Sequence, residues 1–599
     1  MAPTANLPVL PSSDVFISCV AMLSIARAFA LAGLFGAASA LALIGCAREG
    51  AGAGGAGGNA VVVATGGALG DAAGSGGTGG DENPSPRDAG DAPDDTIAPV
   101  GGTGGSSSVA PARPPFDWMG VVGTGQSLAV GNLGVPTTVV TSPYHNLKLS
   151  TGHVTAPPFD PGDASLSMAA LAEPIRALTP LTNFPSPYPA NIYGETPHTF
   201  MANQISAAYA AAAGSGEYVT VHSVVGESGQ GIDAIKKGAH DTGRVGRAYA
   251  ATLFEAQAIK RLAMAAGKTY GIAAIIFTHG EADATSATYG AAVHQLWADY
   301  NADLPPITGQ TTHIPMLLTQ QHSAPMDAGS SAASALAAWR LGVDYPGDIV
   351  CVGPKYQYDY NADGRHLTSH EYDRLGEKYG QVFFETIARG RDWQPLQPKS
   401  VTKSGHLITV DFNVPVPPLA WDPNITAPHQ SALTEWSKGR GFEVKNNGAR
   451  VAIDAVAISG TQVAITLAAG AGDAAGTGWT VGYAMAQDAA GAMAGPARGR
   501  RGQLRDSDPF VGWDAESIPC AVTTGSTRVT SKTAHAFHLR GPRDLASADG
   551  LAPDTMIAAM PSDSEVTLSQ PWTGSTGSAQ IMFHSDHRNF GVAFELPVK

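Results

Sequence analysis

The segment WMGVVGTGQS, residues 118–127, is an apolar run that ends at Gly125, Gln126 and Ser127. Near-continuous runs of this kind are typical of strands that are buried on both faces of a sheet. Similar runs return along the chain as YVTVHSVV (218–225), YGIAAIIFT (270–278), IPMLLT (314–319) and DIVCVG (348–353). We therefore predict a sheet built from these strands within residues 116–392.

Segments with helical composition separate the predicted strands. They are HTFMANQISAAYAAAAG (198–214), RAYAATLFEAQAIKRLAMAAG (247–267), ATYGAAVHQLWADYNADL (287–304) and SSAASALAAWRLG (330–342), with HEYDRLGEKYGQVFFETIARG (370–390) after the last strand. Strand–helix alternation predicts a parallel sheet with covering helices. Ligands of such sheets lie at the carboxyl ends of the strands. The residues that follow each strand are therefore the candidates for function.

Glycine and reactive polar residues follow most of these strands. They are GQS (125–127), GESGQG (226–231), HGEAD (279–283) and DGRHLTSHEY (363–372). A serine hydroxyl is a good nucleophile only when a base removes its proton and a third group orients the base. Asp363 and His366 have the residue types and spacing for orienter and base. D-x-x-H alone is common in helix-entry loops, but its combination with Ser127 indicates a nucleophilic site.

The order of these four motifs resembles that of the SGNH (GDSL-like) hydrolases. GQS in place of GDS, together with GESGQGI (226–232) and HGEAD, resembles the sialate O-acetylesterase and acetylxylan esterase branch. The resemblance covers residues 116–392. It implies an α/β domain of three layers with a parallel, flavodoxin-like sheet.

The resemblance also implies roles for individual residues. Ser127 would be the nucleophile, His366 the general base and acid, and Asp363 the residue that orients His366. The backbone N–H groups of Ser127 and Gly229 would form an oxyanion hole. The superfamily has Asn, and the acetylesterase branch Gln, at the position of His279, which we expect to be a third donor.

The remaining site predictions concern the substrate. We expect Gln126 and Glu281 to bind it, although Glu281 is equally suited to holding its loop. The implied reaction is removal of acetyl groups from a polysaccharide or glycoside, without a metal or organic cofactor.

Other functions remain open from the sequence. A lipid or aryl ester hydrolase of the same fold would use the same residues. A hydrolytic metal site could be formed, by ligand type, from His279, Asp283, Asp363 and His366. Such a site would not explain the GQS segment that follows the first predicted strand. A non-catalytic surface protein that binds glycans through its β modules is a further alternative.

After residue 395 the pattern changes to alternating strands. GHLITVDFNVPV (405–416) and VAIDAVAISGTQVAITLA (451–468) alternate in hydrophobicity, and Gly460 and Thr461 mark a turn. We predict an immunoglobulin-like β-sandwich at 396–500 and a small β domain at 506–599. The second domain is suited to carbohydrate binding or to a spacer role.

The N-terminal region has the pattern of an export signal. AFALAGLFGAASALALIGC (28–46) resembles a bacterial lipoprotein signal, with Cys46 as the lipidated residue; a transmembrane anchor is the alternative. Translation from Met22 instead of Met1 would give a more typical basic lead. Residues 47–115 lack aromatic residues and are rich in glycine, which predicts a flexible tether. We therefore expect an exported lipoprotein of the bacterial cell envelope, held at a membrane by a lipid anchor.

The bulk composition excludes one class of partner. The net charge of −15 argues against binding to the phosphate backbone of nucleic acids. Outside the predicted export segment the chain has two cysteines, Cys351 and Cys520. Two widely separated cysteines make no disulfide framework, so we do not expect them to pair.

Overall fold

The computed structural model describes residues 110–150, 159–175, 194–213, 216–239, 247–471, 477–489, 491 and 494–599. The predicted export signal with Cys46, and the tether up to residue 109, lie outside the described residues. Among the helices that are described, none is long and apolar enough to cross a membrane.

A seven-stranded sheet forms the centre of the first domain. Its strands are β1 (Trp118–Gly125), β2 (Leu147–Leu149), β3 (Met168–Ala170), β4 (Thr220–Val224), β5 (Tyr270–Thr278), β6 (Met316–Thr319) and β7 (Ile349–Gly353). They lie in the order β3-β2-β4-β1-β5-β6-β7, and every pair is parallel except β2 with β3. Each of the five predicted strands is present in this sheet.

Helices connect these strands. They are α1 (Pro197–Ala213), α2 (Ile232–Ile235), α3 (Arg247–Ala265), α4 (Tyr289–Thr308), α5 (Ala333–Asp344) and α6 (Ser369–Phe383), which continues into a π-helical turn at Phe384–Ala388. The chain is thus a mixed α/β protein with a mainly parallel sheet, in agreement with the predicted fold class at this level.

Neighbouring residues of β1 show why its sequence is apolar without interruption. Val121 packs in a core with Met201 of α1 and Leu375 of α6. Val122 points to the other face of the sheet and shares a second core with α3, α4 and α5, for example with Ile259. Because successive side chains of a strand alternate between faces, a strand covered on both faces needs apolar residues throughout.

The end of β1 is shaped by a glycine. Gly125 has φ +137°, and a Cβ there would lie 2.2 Å from the carbonyl oxygen of Thr278. A side chain is therefore excluded at this position. The chain turns into a 3₁₀ turn at Ser127–Ala129, which places Ser127 at the carboxyl edge of the sheet.

Two four-stranded antiparallel sheets follow the α/β domain. One has the order β13-β14-β9-β8 and the other β12-β11-β15-β23, with a small β10-β16 pair beside them. Their strands are β8 (Gln397–Ser404), β9 (Leu407–Asn413), β10 (Ala420–Trp421), β11 (Phe442–Asn446), β12 (Ala449–Val451), β13 (Ile453–Ser459), β14 (Gln462–Leu467), β15 (Trp479–Tyr483), β16 (Leu504–Arg505) and β23 (Phe594–Pro597). The predicted turn at Gly460 and Thr461 joins β13 to β14.

A six-stranded antiparallel sheet lies between β16 and β23 in the sequence. It comprises β17 (Glu516–Val522), β18 (Arg528–Ser531), β19 (Leu545–Ser547), β20 (Ile557–Ser562), β21 (Glu565–Leu568) and β22 (Gly577–His584). Cys520 of β17 and Cys351 of β7 are both buried and free.

The last strand departs from the predicted domain boundary at 506–599. β23 pairs with β15 instead of the six-stranded sheet. Its Phe594 is fully buried and stacks on Tyr483, with ring centroids 6.0 Å apart. The chain returns because burial of Phe594 completes the core of the earlier sheets, so the six-stranded sheet is an insertion before the final strand.

Candidate active site

The exits of three neighbouring strands meet at one edge of the sheet. The N–H of Gln126 donates to the carbonyl oxygen of Thr278 at 3.2 Å. The N–H of Glu227 donates to the carbonyl oxygen of Gly125 at 2.9 Å. These bonds join the GQS segment to the loops that follow β4 and β5, as expected for the carboxyl ends of parallel strands.

Asp363 and His366 form a close pair in the loop between β7 and α6. Asp363 Oδ2 lies 2.5 Å from His366 Nδ1. Asp363 Oδ1 accepts the N–H groups of Arg365 at 3.0 Å and of His366 at 3.1 Å. Burial alone would raise the pKa of Asp363, but these three hydrogen bonds outweigh it and hold the pKa below its ordinary value. The carboxylate is therefore ionised and fixes the imidazole with Nδ1–H towards it.

Ser127 lies on the 3₁₀ turn after β1 and is 5% exposed. Within the described chain its hydroxyl forms no hydrogen bond with His366; Asn132 Nδ2 instead lies 3.2 Å from His366 Nε2. Since Nδ1 carries the proton, Nε2 accepts from this amide. Asn132 also donates its backbone N–H to the carbonyl oxygen of Ser127 at 3.0 Å. Asn132 therefore connects the serine turn to Nε2, the imidazole nitrogen that a general base uses.

Asn132 itself is firmly held. The Tyr372 hydroxyl of α6 donates to its carbonyl oxygen at 2.9 Å, and Asn361 Nδ2 donates to the next carbonyl oxygen, that of Leu133, at 3.2 Å. Its Oδ1 is buried and has no hydrogen-bond partner among the described residues. Sequence reasoning missed this residue, because an asparagine five positions after the serine has no distinctive pattern.

The two predicted backbone donors of the oxyanion hole are the N–H groups of Ser127 and Gly229. No acceptor among the described residues binds the N–H of Ser127 or of Gly229. Gly229 has φ +71°, and a Cβ there would meet nothing within 4 Å. Its loop is anchored by Asp283, whose Oδ2 accepts the N–H of Ile232 at the start of α2 at 2.7 Å.

His279 makes internal hydrogen bonds, whereas we predicted that it would be a free donor to the oxyanion. Its Nε2 lies 3.0 Å from the carbonyl oxygen of Gln230, and its Nδ1 lies 3.1 Å from the Tyr289 hydroxyl. The ring is buried between Phe277 and Tyr289, and burial lowers its pKa. A neutral ring that donates to Gln230 holds the loop containing Gly229. In this structure its N–H is committed to that carbonyl.

Gln126 and Glu281, the predicted substrate-binding residues, also make internal contacts. Gln126 is 4% exposed, and its Oε1 accepts the N–H of Ala282 at 3.3 Å. Glu281 Oε1 lies 2.9 Å from Nζ of Lys355, whose side chain is fully buried. A buried ammonium group requires a partner. The ion pair with Lys355 therefore explains how Glu281 holds its loop. Lys355 follows β7 directly and was not singled out from the sequence.

The alternative metal site is not assembled. His279 Nε2 lies 3.9 Å from Asp283 Oδ2, and Asp363 pairs with His366. Although all four residues are described, their ligand atoms do not gather around one point.

Comparison with known proteins finds only distant likeness. No protein-family model and no curated protein matches the chain. A carbohydrate acetylesterase from Xanthomonas citri shares 13% identity, with 65% of this chain and 81% of that chain covered and a TM-score of 0.38. A protein from Arabidopsis thaliana shares 15% identity over 46% of this chain and 100% of its own, with a TM-score of 0.32. NanS shares 12% identity over 35% of this chain and 68% of its own, with a TM-score of 0.24. At these scores the assignment of a function depends on the geometry of the site.

Proposed function

We propose that this chain is a serine ester hydrolase, with Ser127 as nucleophile, His366 as general base and acid, and Asp363 as the residue that orients His366. The observation that carries the proposal is the aligned Asp363–His366 pair, which faces the Ser127 turn through Asn132. An ionised carboxylate on Nδ1 keeps the imidazole in the tautomer whose Nε2 accepts a proton.

The proposed reaction uses these residues in turn. His366 Nε2 takes the hydroxyl proton of Ser127 while the oxygen attacks the ester carbonyl. The backbone N–H groups of Ser127 and Gly229 stabilise the oxyanion. Nε2–H then protonates the departing alcohol, and water activated by the same nitrogen hydrolyses the acyl-enzyme. The cycle returns Ser127 and His366 to their starting state.

Asn132 has a role at the first of these steps. At rest its amide donates to the Nε2 lone pair that Ser127 requires. Once Asn132 releases Nε2, its lone pair can accept the proton of the serine hydroxyl, and catalytic hydrogen bonds often tighten only when substrate binds. Asn132 is therefore a positioning residue that holds the imidazole at the serine turn.

The substrate class is the finer part of the proposal. The GQS and HGEAD motifs favour acetyl esters of a polysaccharide or glycoside, because they resemble the acetylesterase branch. We further propose that the chain is exported as an envelope lipoprotein anchored through Cys46, which would place the enzyme where extracellular glycans occur. No organic cofactor enters this mechanism.

The test is an acetate-release screen of the full chain on acetylated xylan, acetylated pectin and O-acetylated sialic acid, with Ser127→Ala as the matched control. Release that depends on Ser127 supports the proposal. Cleavage of long-chain lipid or aryl esters alone would show that the chain is a lipid or aryl ester hydrolase instead. A folded protein that cleaves no ester but is retained on a glycan column would instead be a binding lipoprotein.

A further inference from the structure

A second histidine–carboxylate cluster lies away from the strand exits, where α6 meets the C-terminal part of the chain. Glu377 lies on α6, Asp514 lies between β16 and β17, and His587 lies between β22 and β23. The three residues are 0%, 4% and 2% exposed. Segments that are far apart in sequence thus place three metal-ligating side chains in one buried position.

Four polar atoms of this cluster have no well-aligned hydrogen-bond partner in the described part of the chain, whereas Asp514 Oδ2 accepts from the Ser585 hydroxyl at 3.3 Å. Both carboxylate oxygens of Glu377, Oδ1 of Asp514 and Nε2 of His587 are buried without a hydrogen-bond partner among the described residues. Glu377 Oε2 and His587 Nε2 are 2.8 Å apart, yet they are not aligned as a hydrogen bond. Unpaired buried polar atoms are destabilising, because they lose water without gaining a hydrogen-bond partner. Their common position indicates that something else satisfies them.

The ligand atoms of the three residues converge on one position. One ligand atom from each of the three residues lies within 4.8 Å of the others. The nearby Gly512 has no side chain, and a Cβ there would lie 2.6 Å from Glu377 Oε1 and 2.8 Å from His587 Nε2. A side chain at this position would collide with these two ligand atoms.

The local charges favour a cation. Arg540 Nη2 lies 2.8 Å from Asp514 Oδ2, but the same guanidinium group is 3.5 Å from Asp544. One arginine is thus shared between two carboxylates, and no lysine or arginine of the described residues lies within ion-pair distance of Glu377. The two buried carboxyl groups, with ligand atoms within 4.8 Å of each other, need either a proton or a bound cation to offset their charge.

We propose that Glu377, Asp514 and His587 bind one divalent transition-metal ion, zinc being the best match. Two carboxylates and one imidazole suit zinc, whereas calcium and magnesium prefer sites made of oxygen ligands alone. The ion joins α6 to the segments before β17 and after β22. It is a structural cross-link between the α/β domain and the C-terminal part of the chain, and the ester hydrolysis proposed above does not use it.

The direct test measures metal in the full chain. The protein is stripped with chelator, incubated with zinc, washed, and analysed for bound metal. We expect one equivalent of zinc per chain and a melting temperature that rises with free zinc, because a ligand that binds only the folded state stabilises it. Cobalt(II) in place of zinc should give the visible d–d absorption of a low-symmetry bound ion. No retained metal, together with a melting temperature that neither zinc nor chelator changes, would overturn the proposal and leave a shared proton in the cluster.

Matched variants locate the ion. His587→Gln and Glu377→Gln should each lose the bound equivalent and the response of the melting temperature to zinc. His429→Gln is the control, because His429 is also buried and its Nε2 lies 3.4 Å from Oε1 of Glu443 on β11, outside the cluster; it should keep the zinc. Full zinc retention in both test variants would contradict the assignment. If neither variant folds, the metal content and the cobalt spectrum of the unmodified chain still show whether it binds a metal ion.

Discussion

The Asp363–His366 pair and the Glu377–Asp514–His587 cluster differ in alignment and exposure. His366 and Asp363 are aligned at 2.5 Å, and their side chains are 16% and 34% exposed. His587 and Glu377 are also close, at 2.8 Å, but they form no hydrogen bond and are 1% and 0% exposed. The same residue types therefore have different surroundings in the two places.

This difference indicates what each cluster does. An aligned carboxylate fixes one tautomer and leaves the other imidazole nitrogen available, as proton transfer requires. Buried oxygen and nitrogen atoms that converge without bonding one another are better suited to an ion between them. Residue types alone do not separate a proton-transfer pair from a cation site, but alignment and solvent access do.

The largest expected effect tests the first cluster at its nucleophile. Ser127→Ala should lower kcat/KM on p-nitrophenyl acetate by at least about 10³-fold, because no other hydroxyl replaces the attacking oxygen. The melting temperature should change little, which serves as the folding control. Activity equal to that of the unmodified chain would show that the Asp363–His366 pair does not serve Ser127.

The second largest loss of activity is expected when Asp363 no longer orients His366. Asp363→Asn should lower kcat by about 10²–10⁴-fold, because a neutral amide does not stabilise the imidazolium and permits the wrong tautomer. The control is Asp359→Asn, since Asp359 in the same loop lies 3.5 Å from Arg543 instead of a histidine. Equal losses in both variants would mean that general loop damage, rather than orientation of His366, explains the result.

A smaller effect is expected at Asn132. Asn132→Asp would place a carboxylate beside Nε2 and hold a proton there, so the base would be blocked and kcat/KM should fall about 100-fold. Asn132→Ala should lose less, because it only removes a positioning contact. Steady-state kinetics of the two variants make the comparison. If the alanine variant were the more damaged, the amide would have a role other than positioning.

The smallest effect concerns a buried histidine that has no carboxylate partner. Both ring nitrogens of His322 are buried and unpartnered within the described residues. Burial, aided by Arg500 and Lys355, holds its pKa well below the ordinary value of 6.5. Below pH 6.5 the unfolded chain therefore binds one more proton here than the folded chain, and stability falls with decreasing pH by about 1.4 kcal/mol per pH unit.

His322→Gln should remove this slope. Chemical denaturation from about pH 6.5 down to about pH 5 should show a flatter dependence in the variant. His313→Gln, at an exposed histidine, is the control and should keep the slope of the unmodified chain. Parallel slopes in all three proteins would show that His322 takes up a proton in the folded state.

The sequence by itself determined the α/β domain and the residues at its strand exits. Uninterrupted apolar runs arise because strands such as β1 are covered on both faces. Parallel strands bring their carboxyl ends to one edge, so motifs such as GQS and D-x-x-H could be placed together from their order along the chain.

Only the tertiary structure decided which side chains contact one another. Asn132 contacts His366 across 234 positions, and His279 bonds Gln230 instead of presenting a free N–H. The pairing of β23 with β15, and the meeting of Glu377 with His587, likewise depend on how distant segments pack. Periodicity in a sequence reports the local environment of each residue, whereas these contacts depend on burial and close packing between segments that have no common pattern.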